Sequence, residues 1–214
     1  MSVSLRCYST SLGCPKNRVD TERLLGSLGV ALVPVESPDE AELVFINTCA
    51  FIQPATEESV RTIAQAIADI EELPKRPLLA VAGCLVGRYH AEDLAPELPE
   101  VDLWLDNSDL EAWPAMLARK LGLPEPTVPG RILSTGPSYA WLKISDGCRH
   151  ACSFCAIPNI RGGHRSHCKD MIVHEARALL DQGVKELNLV AQDLTEWGCD
   201  LDGKQDLRTL LDGL

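Results

Sequence analysis

The stretch 42–49, ELVFINTC, is a run of apolar residues that finishes on a polar pair and a cysteine. Its centre, residues 43–46, is apolar on both alternating faces, which is typical of a strand in a parallel sheet covered on both sides. Two other segments have the same design: 5–14, LRCYSTSLGC, and 76–84, RPLLAVAGC. Together they predict a parallel sheet whose strands each end at a cysteine.

Helical patterns alternate with these strands. Residues 17–28 predict a helix that ends at Gly29, and residues 53–73 predict a long amphipathic helix. A fourth strand, VDLWLDNSD at 101–109, precedes a helix over 110–121. The order βαβαβαβα predicts an α/β fold with a doubly wound parallel sheet.

A proline-rich stretch divides the chain. Residues 123–137, LPEPTVPGRILSTGP, predict a linker, because proline at this density is not tolerated inside a helix or a central strand. We therefore expect a first domain over 1–122 and a second over 138–214. The second shows a strand, a helix, a strand and the start of a further helix, at 138–145, 170–182, 185–192 and 206–214.

Composition limits the classes of function. No run of 18 apolar residues predicts a membrane span, and the first residues do not resemble a signal peptide, so we expect a cytoplasmic protein. In that reducing compartment the nine cysteines indicate metal binding or catalysis rather than disulfides. The formal net charge of −11 argues against nucleic acid as the main partner.

Three single cysteines, Cys14, Cys49 and Cys84, follow one another at intervals of 35 residues. Each closes a predicted strand, and the carboxyl ends of parallel strands form one edge of a sheet, where ligands bind. The spacing therefore predicts that these cysteines converge. The alternative is three unrelated buried cysteines, which are common in protein cores.

A second set, Cys148, Cys152 and Cys155, forms a CxxxCxxC motif directly after a strand. Three thiolates close together suit an iron–sulfur cluster, and a 4Fe–4S cluster held by three cysteines keeps one iron open. The alternative is a structural zinc ion with one nearby histidine as its fourth ligand, at position 150, 164 or 167.

The motif CRHACSFC, with Phe154 before its last cysteine, resembles the signature of radical S-adenosylmethionine (SAM) enzymes. The resemblance implies that residues 138–214 are the first βα units of a partial TIM-type barrel. It also implies that the open iron binds SAM, with Phe154 as a cofactor-binding residue. In that superfamily the cluster donates an electron that cleaves SAM into methionine and a 5′-deoxyadenosyl radical.

A radical SAM core preceded by an α/β domain with three single cysteines resembles the methylthiotransferase family. The resemblance implies a second 4Fe–4S cluster on Cys14, Cys49 and Cys84, whose free iron carries a sulfide. One SAM would methylate that sulfur, and a second would activate a C–H bond for methylthio insertion. No side chain is assigned a catalytic role.

Longer stretches are similar to the branch that modifies an aspartate at its β-carbon in small-subunit ribosomal protein S-twelve. They are SLGCPKNRVDTERLLGSL, NTCAFIQPATEES, AGCLVGRY, CAIPNIRGGHRS and NLVAQDLTEWG. An acidic chain also suits a basic ribosomal protein better than tRNA, although the tRNA-modifying branch stays an alternative. A non-catalytic zinc or iron–sulfur module is the alternative from another class. Two departures stand out: Trp197 replaces the usual tyrosine, and His167-Cys168 replaces a more basic pair.

The family also implies an external electron donor and an external sulfur source, and we expect a monomer. Its members continue through the rest of the barrel and a further domain, so we expect the chain as written to be a truncated form that does not turn over alone. Of the other cysteines, Cys7 is expected in the core, while Cys168 and Cys199 are given no role. Four cations near the triplet either contact a carboxylate ligand or are solvated: Arg149, Arg161, Arg165 and Lys169.

Overall fold

The computed structural model of the chain describes residues 4–203 and 205–214. They form two compact units that meet in sequence between Ile132 and Leu133. Each unit has a hydrophobic core of its own. Among the described residues, no helix is both long enough and apolar enough to cross a membrane.

The first unit is built on a five-stranded parallel sheet in the order β2-β1-β3-β4-β5. The strands are β1 (Ser4–Ser11), β2 (Ala31–Pro34), β3 (Leu43–Thr48), β4 (Leu78–Gly83) and β5 (Leu103–Leu105). The chain winds first to one side of β1 and then, from β3 onward, to the other. This reversal is the mark of a doubly wound sheet, so the predicted fold class is confirmed.

Strand β2 is the one strand of this sheet that the sequence analysis did not predict. It is four residues long, lies at the edge of the sheet and is largely exposed. Short exposed edge strands lack the alternation that marks a half-buried strand, and the proline that ends β2 is typical of a loop.

Helices cover both faces of the sheet. They are α1 (Pro15–Ser27), α2 (Gln53–Ile70), α3 (Cys84–Tyr89), α4 (Ala91–Leu94) and α5 (Trp113–Leu121). Leu43 and Phe45 of β3 face a core shared with apolar residues of α1 and α5. Val44 and Ile46 alternate with them and face the opposite side, where α2 contacts β3. All six residues of β3 are buried, as its apolar run predicts.

The end of the first unit packs back onto α1. Gly26 lies so close to Gly130 and Arg131 that an added Cβ would come within 2.4 Å of the Arg131 nitrogen. The Arg131 guanidinium donates two hydrogen bonds, of 2.9 and 2.7 Å, to the buried Glu22 carboxylate. Residues 130–132, inside the predicted linker, thus lie against α1.

The second unit contains one βαβ motif and a small hairpin. Its elements are β6 (Tyr139–Lys143), β7 (Ser145–Asp146), α6 (Ile157–Arg161), β8 (Arg165–Ser166), α7 (Lys169–Asp181), β9 (Glu186–Val190) and α8 (Leu207–Leu211). Strands β6 and β9 are parallel, and α7 lies between them in sequence. The two-residue strands β7 and β8 pair antiparallel. This hairpin was not predicted, because two-residue strands among glycines and cysteines carry no periodic signal.

Candidate metal centres

The first candidate centre, Cys14, Cys49 and Cys84, lies at the carboxyl edge of the five-stranded sheet. Cys14 directly precedes α1, Cys49 follows β3, and Cys84 follows β4. The strands concerned, β1, β3 and β4, are neighbours in register, with Ser11 beside Asn47 and Thr48 beside Gly83. The fold therefore brings the three cysteines to adjacent strand ends, as their spacing predicts.

Gly13 permits close contact between the loop that carries Cys14 and the side chain of Cys49. It has a φ of +81°, and a Cβ at this position would lie 2.6 Å from Cys49 Cβ and 2.7 Å from Cys49 Sγ. Both the backbone conformation and the lack of space require glycine. The loop that carries Cys14 can thus lie directly against Cys49.

The Asn17 side chain ties the three loops together from the first turn of α1. It is fully buried. Its Nδ2 donates hydrogen bonds to the Leu12 carbonyl at 2.9 Å and to the Thr48 carbonyl at 2.8 Å. These carbonyls lie in the loop before Cys14 and immediately before Cys49. Its Oδ1 lies 3.8 Å from Cys84 Sγ, so one amide contacts all three cysteine-bearing segments.

Further polar groups hold individual cysteines. Asn107 Nδ2 lies 3.7 Å from Cys84 Sγ and can donate to that sulfur. Ser59 of α2 accepts from the Cys49 nitrogen at 3.0 Å and donates to the Cys49 carbonyl at 2.7 Å. Hydrogen-bond donors near thiolate sulfur stabilise its negative charge, which is how the surroundings of an iron–sulfur site tune it.

Cys7 shows what a core cysteine looks like in the same sheet. It lies in the middle of β1, within the hydrophobic core of the first unit. Burial raises the pKa of its thiol to about 12, because the thiolate would be desolvated. The expectation that Cys7 is a core residue is confirmed.

The second candidate centre, Cys148, Cys152 and Cys155, occupies the loop between β7 and α6. The ends of this loop are fastened by backbone contacts. The Cys148 nitrogen donates to the Gly162 carbonyl at 3.2 Å. Gly147 has a φ of +67°, and a Cβ there would lie 2.1 Å from the Gly163 carbonyl oxygen. The cysteines are thus presented on one closed loop.

A buried ionic group supports the base of this loop. The Asp146 carboxylate accepts from Lys143 Nζ at 2.9 Å, from Arg161 at 3.0 and 3.1 Å, and from the Gly147 nitrogen at 2.8 Å. Burial alone would raise the pKa of Asp146, but the charges of Lys143 and Arg161 outweigh burial and hold that pKa well below its usual range. Arg161, expected either to contact a ligand or to be solvated, instead lies in this buried group.

The exposed side of the same loop carries groups that could meet a ligand. Cys152 is exposed, and the Phe154 ring is 90% exposed. His150 Nε2 lies 3.0 Å from Asp193, and Arg149 pairs with Glu196. Of the histidines considered as a fourth zinc ligand, His150 lies with Asp193 and Glu196, and His164 lies with Cys199 and Asp200. Neither of these two groups includes a cysteine of the triplet.

The six cysteines were proposed from sequence, but the polar residues that contact the segments of the first three were not. Asn17, Ser59 and Asn107 are separated widely along the chain, and only the folded sheet brings them to the cysteines. The available signal was weak: a polar residue on the inward face of a helix. Asp146 could have been suspected because it follows Lys143 by three residues at the end of a largely apolar strand segment.

The first comparison with known proteins concerns part of the first unit. Residues 6–106 match the model of the family described as "Uncharacterized protein family UPF0004". This match covers the β1 to β5 region and includes all three cysteines of the first candidate centre. Within the first unit, residues 6–106 are therefore similar to this family.

Nearly the whole chain also matches individual curated proteins. It is 68% identical over 207 residues to "Ribosomal protein uS12 methylthiotransferase RimO" of Nitratidesulfovibrio vulgaris, covering 97% of this chain and 48% of the relative. The protein of that name from Lawsonia intracellularis is 58% identical over 214 residues, covering 100% of this chain and 49% of the relative. The chain spans about half the length of the curated relatives it matches. The predicted resemblance to the ribosomal-protein branch of the methylthiotransferases is confirmed.

Solved structures agree on the fold. The radical S-adenosylmethionine methyltransferase TsrM from Kitasatospora setae, with tryptophan and a SAM analogue bound, matches with a TM-score of 0.57 at 11% identity. The match covers 90% of this chain and 48% of that one. At this identity the likeness concerns the fold alone.

Proposed function

We propose that this chain forms the cluster-binding part of a radical SAM methylthiotransferase that modifies an aspartate of ribosomal protein S-twelve at its β-carbon. The observation that carries the proposal is the pair of cysteine triplets, one in each unit, in a chain 68% identical to a protein that bears this name. The names of the relatives support ribosomal protein over tRNA as the substrate, as does the net charge of −11.

Cys14, Cys49 and Cys84 would hold one 4Fe–4S cluster. The donor set fits, because each cysteine comes from a different strand end and the nearby side chains of Asn17 and Asn107 are neutral amides. Such amides leave thiolates as the anionic ligands, which matches the preference of iron–sulfur clusters.

Cys148, Cys152 and Cys155 would hold the second 4Fe–4S cluster, with SAM bound beside it. The three cysteines lie on one closed loop that begins directly after Asp146, and the exposed Phe154 ring is available to pack against SAM. When bound, the cluster in the second unit would supply the electron for SAM cleavage, and the cluster in the first unit would supply an open iron for sulfide. The residues of this chain hold and orient these groups.

Several partners follow from the proposed activity. An external reductant and an external sulfur source would serve the two clusters, and ribosomal protein S-twelve would be the substrate in the cytoplasm. We further propose that the protein acts as a monomer. The rest of the catalytic protein would resemble the part of the relatives that this chain does not span.

The first test is metal content after anaerobic reconstitution. About eight irons and eight sulfides per chain are expected for two 4Fe–4S clusters, with a spectral change when SAM is added. Cys152→Ser should remove about four irons and, in the complete chimaera described below, abolish reductant-dependent SAM cleavage. Cys168→Ser is the matched control in the same unit and should change neither. Stoichiometric zinc without iron would contradict the proposal.

The substrate is tested with a chimaera. This chain would replace the matching half of the Nitratidesulfovibrio vulgaris relative, and the complete relative would be the positive control. Ribosomal protein and tRNA are then incubated separately and weighed by mass spectrometry. A gain of one methylthio group by the ribosomal protein alone is expected. A gain by tRNA alone would refute the substrate assignment.

A further inference from the structure

A mixed group of metal-binding side chains lies in the second unit, apart from the residues assigned to either cysteine triplet. His164, Cys199 and Asp200 each place a potential ligand atom within 4.8 Å of the other two. His164 precedes β8, and the other two follow Gly198 in the segment after β9. The proposed function uses none of these residues, and Cys199 had been given no role on sequence grounds.

Backbone contacts hold the group in place. The Ser166 nitrogen donates to Asp200 Oδ2 at 2.9 Å, which leaves Oδ1 3.6 Å from His164 Nε2. The Gly198 nitrogen donates to Ser166 Oγ at 2.9 Å. The two segments are therefore already joined beside the three side chains.

A further contact holds the segment just before Cys199. Trp197 is buried, and its indole donates to the His167 carbonyl at 3.0 Å. These are two of the positions at which the chain departs from its family, and the structure places them in contact. Cys199 follows two residues later, so its backbone position is restrained.

The imidazole of His164 has spare binding capacity. Its side chain is only 2% exposed. Nε2 lies 3.1 Å from Ser166 Oγ, whereas Nδ1 is buried and has no hydrogen-bond partner among the described residues. A buried polar atom of this kind is uncommon in native proteins, and Nε2 is the nitrogen that lies 3.6 Å from Asp200.

We propose that His164, Cys199 and Asp200 bind one divalent transition-metal ion, for which Zn²⁺ is the best match. One thiolate, one imidazole and one carboxylate form a mixed sulfur, nitrogen and oxygen set that suits a borderline-soft ion. The two anionic ligands balance the charge of the ion. A water molecule completes a tetrahedron on the exposed side, where Cys199 and Asp200 reach solvent.

Binding is a ligand exchange without redox chemistry. The Cys199 thiol, which also contacts the Glu196 carboxylate, loses its proton to solvent as the Zn–S bond forms. His164 binds as the neutral imidazole and Asp200 as the carboxylate. The ion then joins the segment before α7 to the segment after β9.

The experiment uses the full chain, reconstituted with iron and sulfide, incubated with Zn²⁺ and freed of unbound metal. About one zinc per chain is expected in addition to the iron. Zinc X-ray absorption should show a single sulfur at about 2.3 Å, with the remaining ligands nitrogen or oxygen at about 2.0–2.2 Å. Zinc held by either cysteine triplet would show three sulfurs and would refute the site.

Variants locate the ion. Cys199→Ser should lower zinc affinity by more than the 10–100-fold typical of losing an outer partner, with iron content unchanged. Because Cys199 is exposed, this substitution leaves the core intact. Asp200→Asn tests a second ligand in the same way. Cys168→Ser, a change of the same type at an exposed neighbouring cysteine, should leave zinc binding unchanged. Equal loss in Cys168→Ser and Cys199→Ser, or no zinc binding by the unchanged chain, would overturn the proposal.

Discussion

Replacing Asn17 with alanine should loosen the three loops that carry Cys14, Cys49 and Cys84. The amide of Asn17 donates hydrogen bonds to carbonyls of two different loops, a part-buried bond of 2.9 Å to Leu12 and a buried bond of 2.8 Å to Thr48. Alanine leaves both carbonyls without this donor. A buried group left unsatisfied costs about 1–3 kcal/mol, and the part-buried carbonyl can bind water instead, so the first unit should lose about 1–3 kcal/mol of stability.

The assay has to separate the two units, because a single unfolding curve of a chain with two units is not two-state. Hydrogen exchange measured by mass spectrometry on the metal-free chain resolves peptides from each unit. Protection of the 43–48 strand should fall in Asn17→Ala, and protection of the 186–190 strand should not change. Gln65→Ala is the matched control: Gln65 makes an exposed 2.8 Å bond to Asp69 on α2 and should matter by less than about 0.5 kcal/mol.

Iron content is the second readout of the same variant. With the loops loosened, the first site should retain little iron, so reconstituted Asn17→Ala should hold about four irons instead of about eight. In the chimaera proposed above, reductant-dependent cleavage of SAM, which we propose for the second unit, should survive Asn17→Ala. Unchanged protection of 43–48 together with eight irons would refute the idea that this amide organises the site.

Two further positions, Gly13 and the buried carboxylate Asp146, can be tested by substitution. Gly13→Ala places a Cβ 2.6 Å from Cys49 Cβ and should reduce iron at the first site, whereas Gly29→Ala, which shares a positive φ but has open space, should report the backbone effect alone in the same iron assay. Asp146 has a lowered pKa, so it stabilises the fold at neutral pH, and that contribution should be lost only as pH falls below its unfolded pKa of about 3.9. Asp146→Asn should remove this acid dependence and destabilise the second unit by about 3–5 kcal/mol, because it leaves two buried cations without their counter-charge. Hydrogen exchange of residues 186–190, measured as a function of pH, reports both effects. An unchanged acid profile in the variant would contradict the role assigned to Asp146.

The features that could be predicted from the sequence are those that follow from a repeated pattern. The apolar run of 43–46 predicted a strand buried on both faces, and the 35-residue spacing of the cysteines predicted neighbouring strand ends. Both follow from the length of a βα unit and the direction of parallel strands. Edge strand β2 was missed, because its four residues are largely exposed and carry no such pattern.

The polar residues that organise the sites could not be predicted in the same way. Asn17 and Thr48 are 31 residues apart, and only the pairing of β1 with β3 brings them together. Cys199 looked incidental for the same reason: its neighbour His164 is 35 residues away, and the small β7–β8 hairpin lies near that histidine in sequence. Contacts of this kind depend on tertiary structure and leave no local signal.

The two cysteine sets differ in what determines their geometry. The first takes one cysteine from each of three strand ends, so its shape depends on the register of β1, β3 and β4 and therefore on the whole sheet. The second takes all three cysteines from one loop, whose ends are fastened by backbone contacts and a buried carboxylate. Substitutions in the core of the first sheet should therefore remove iron from the first site in proportion to lost stability. The second site should respond only to changes in its own loop and in the charges beneath it, so each site can be perturbed without the other.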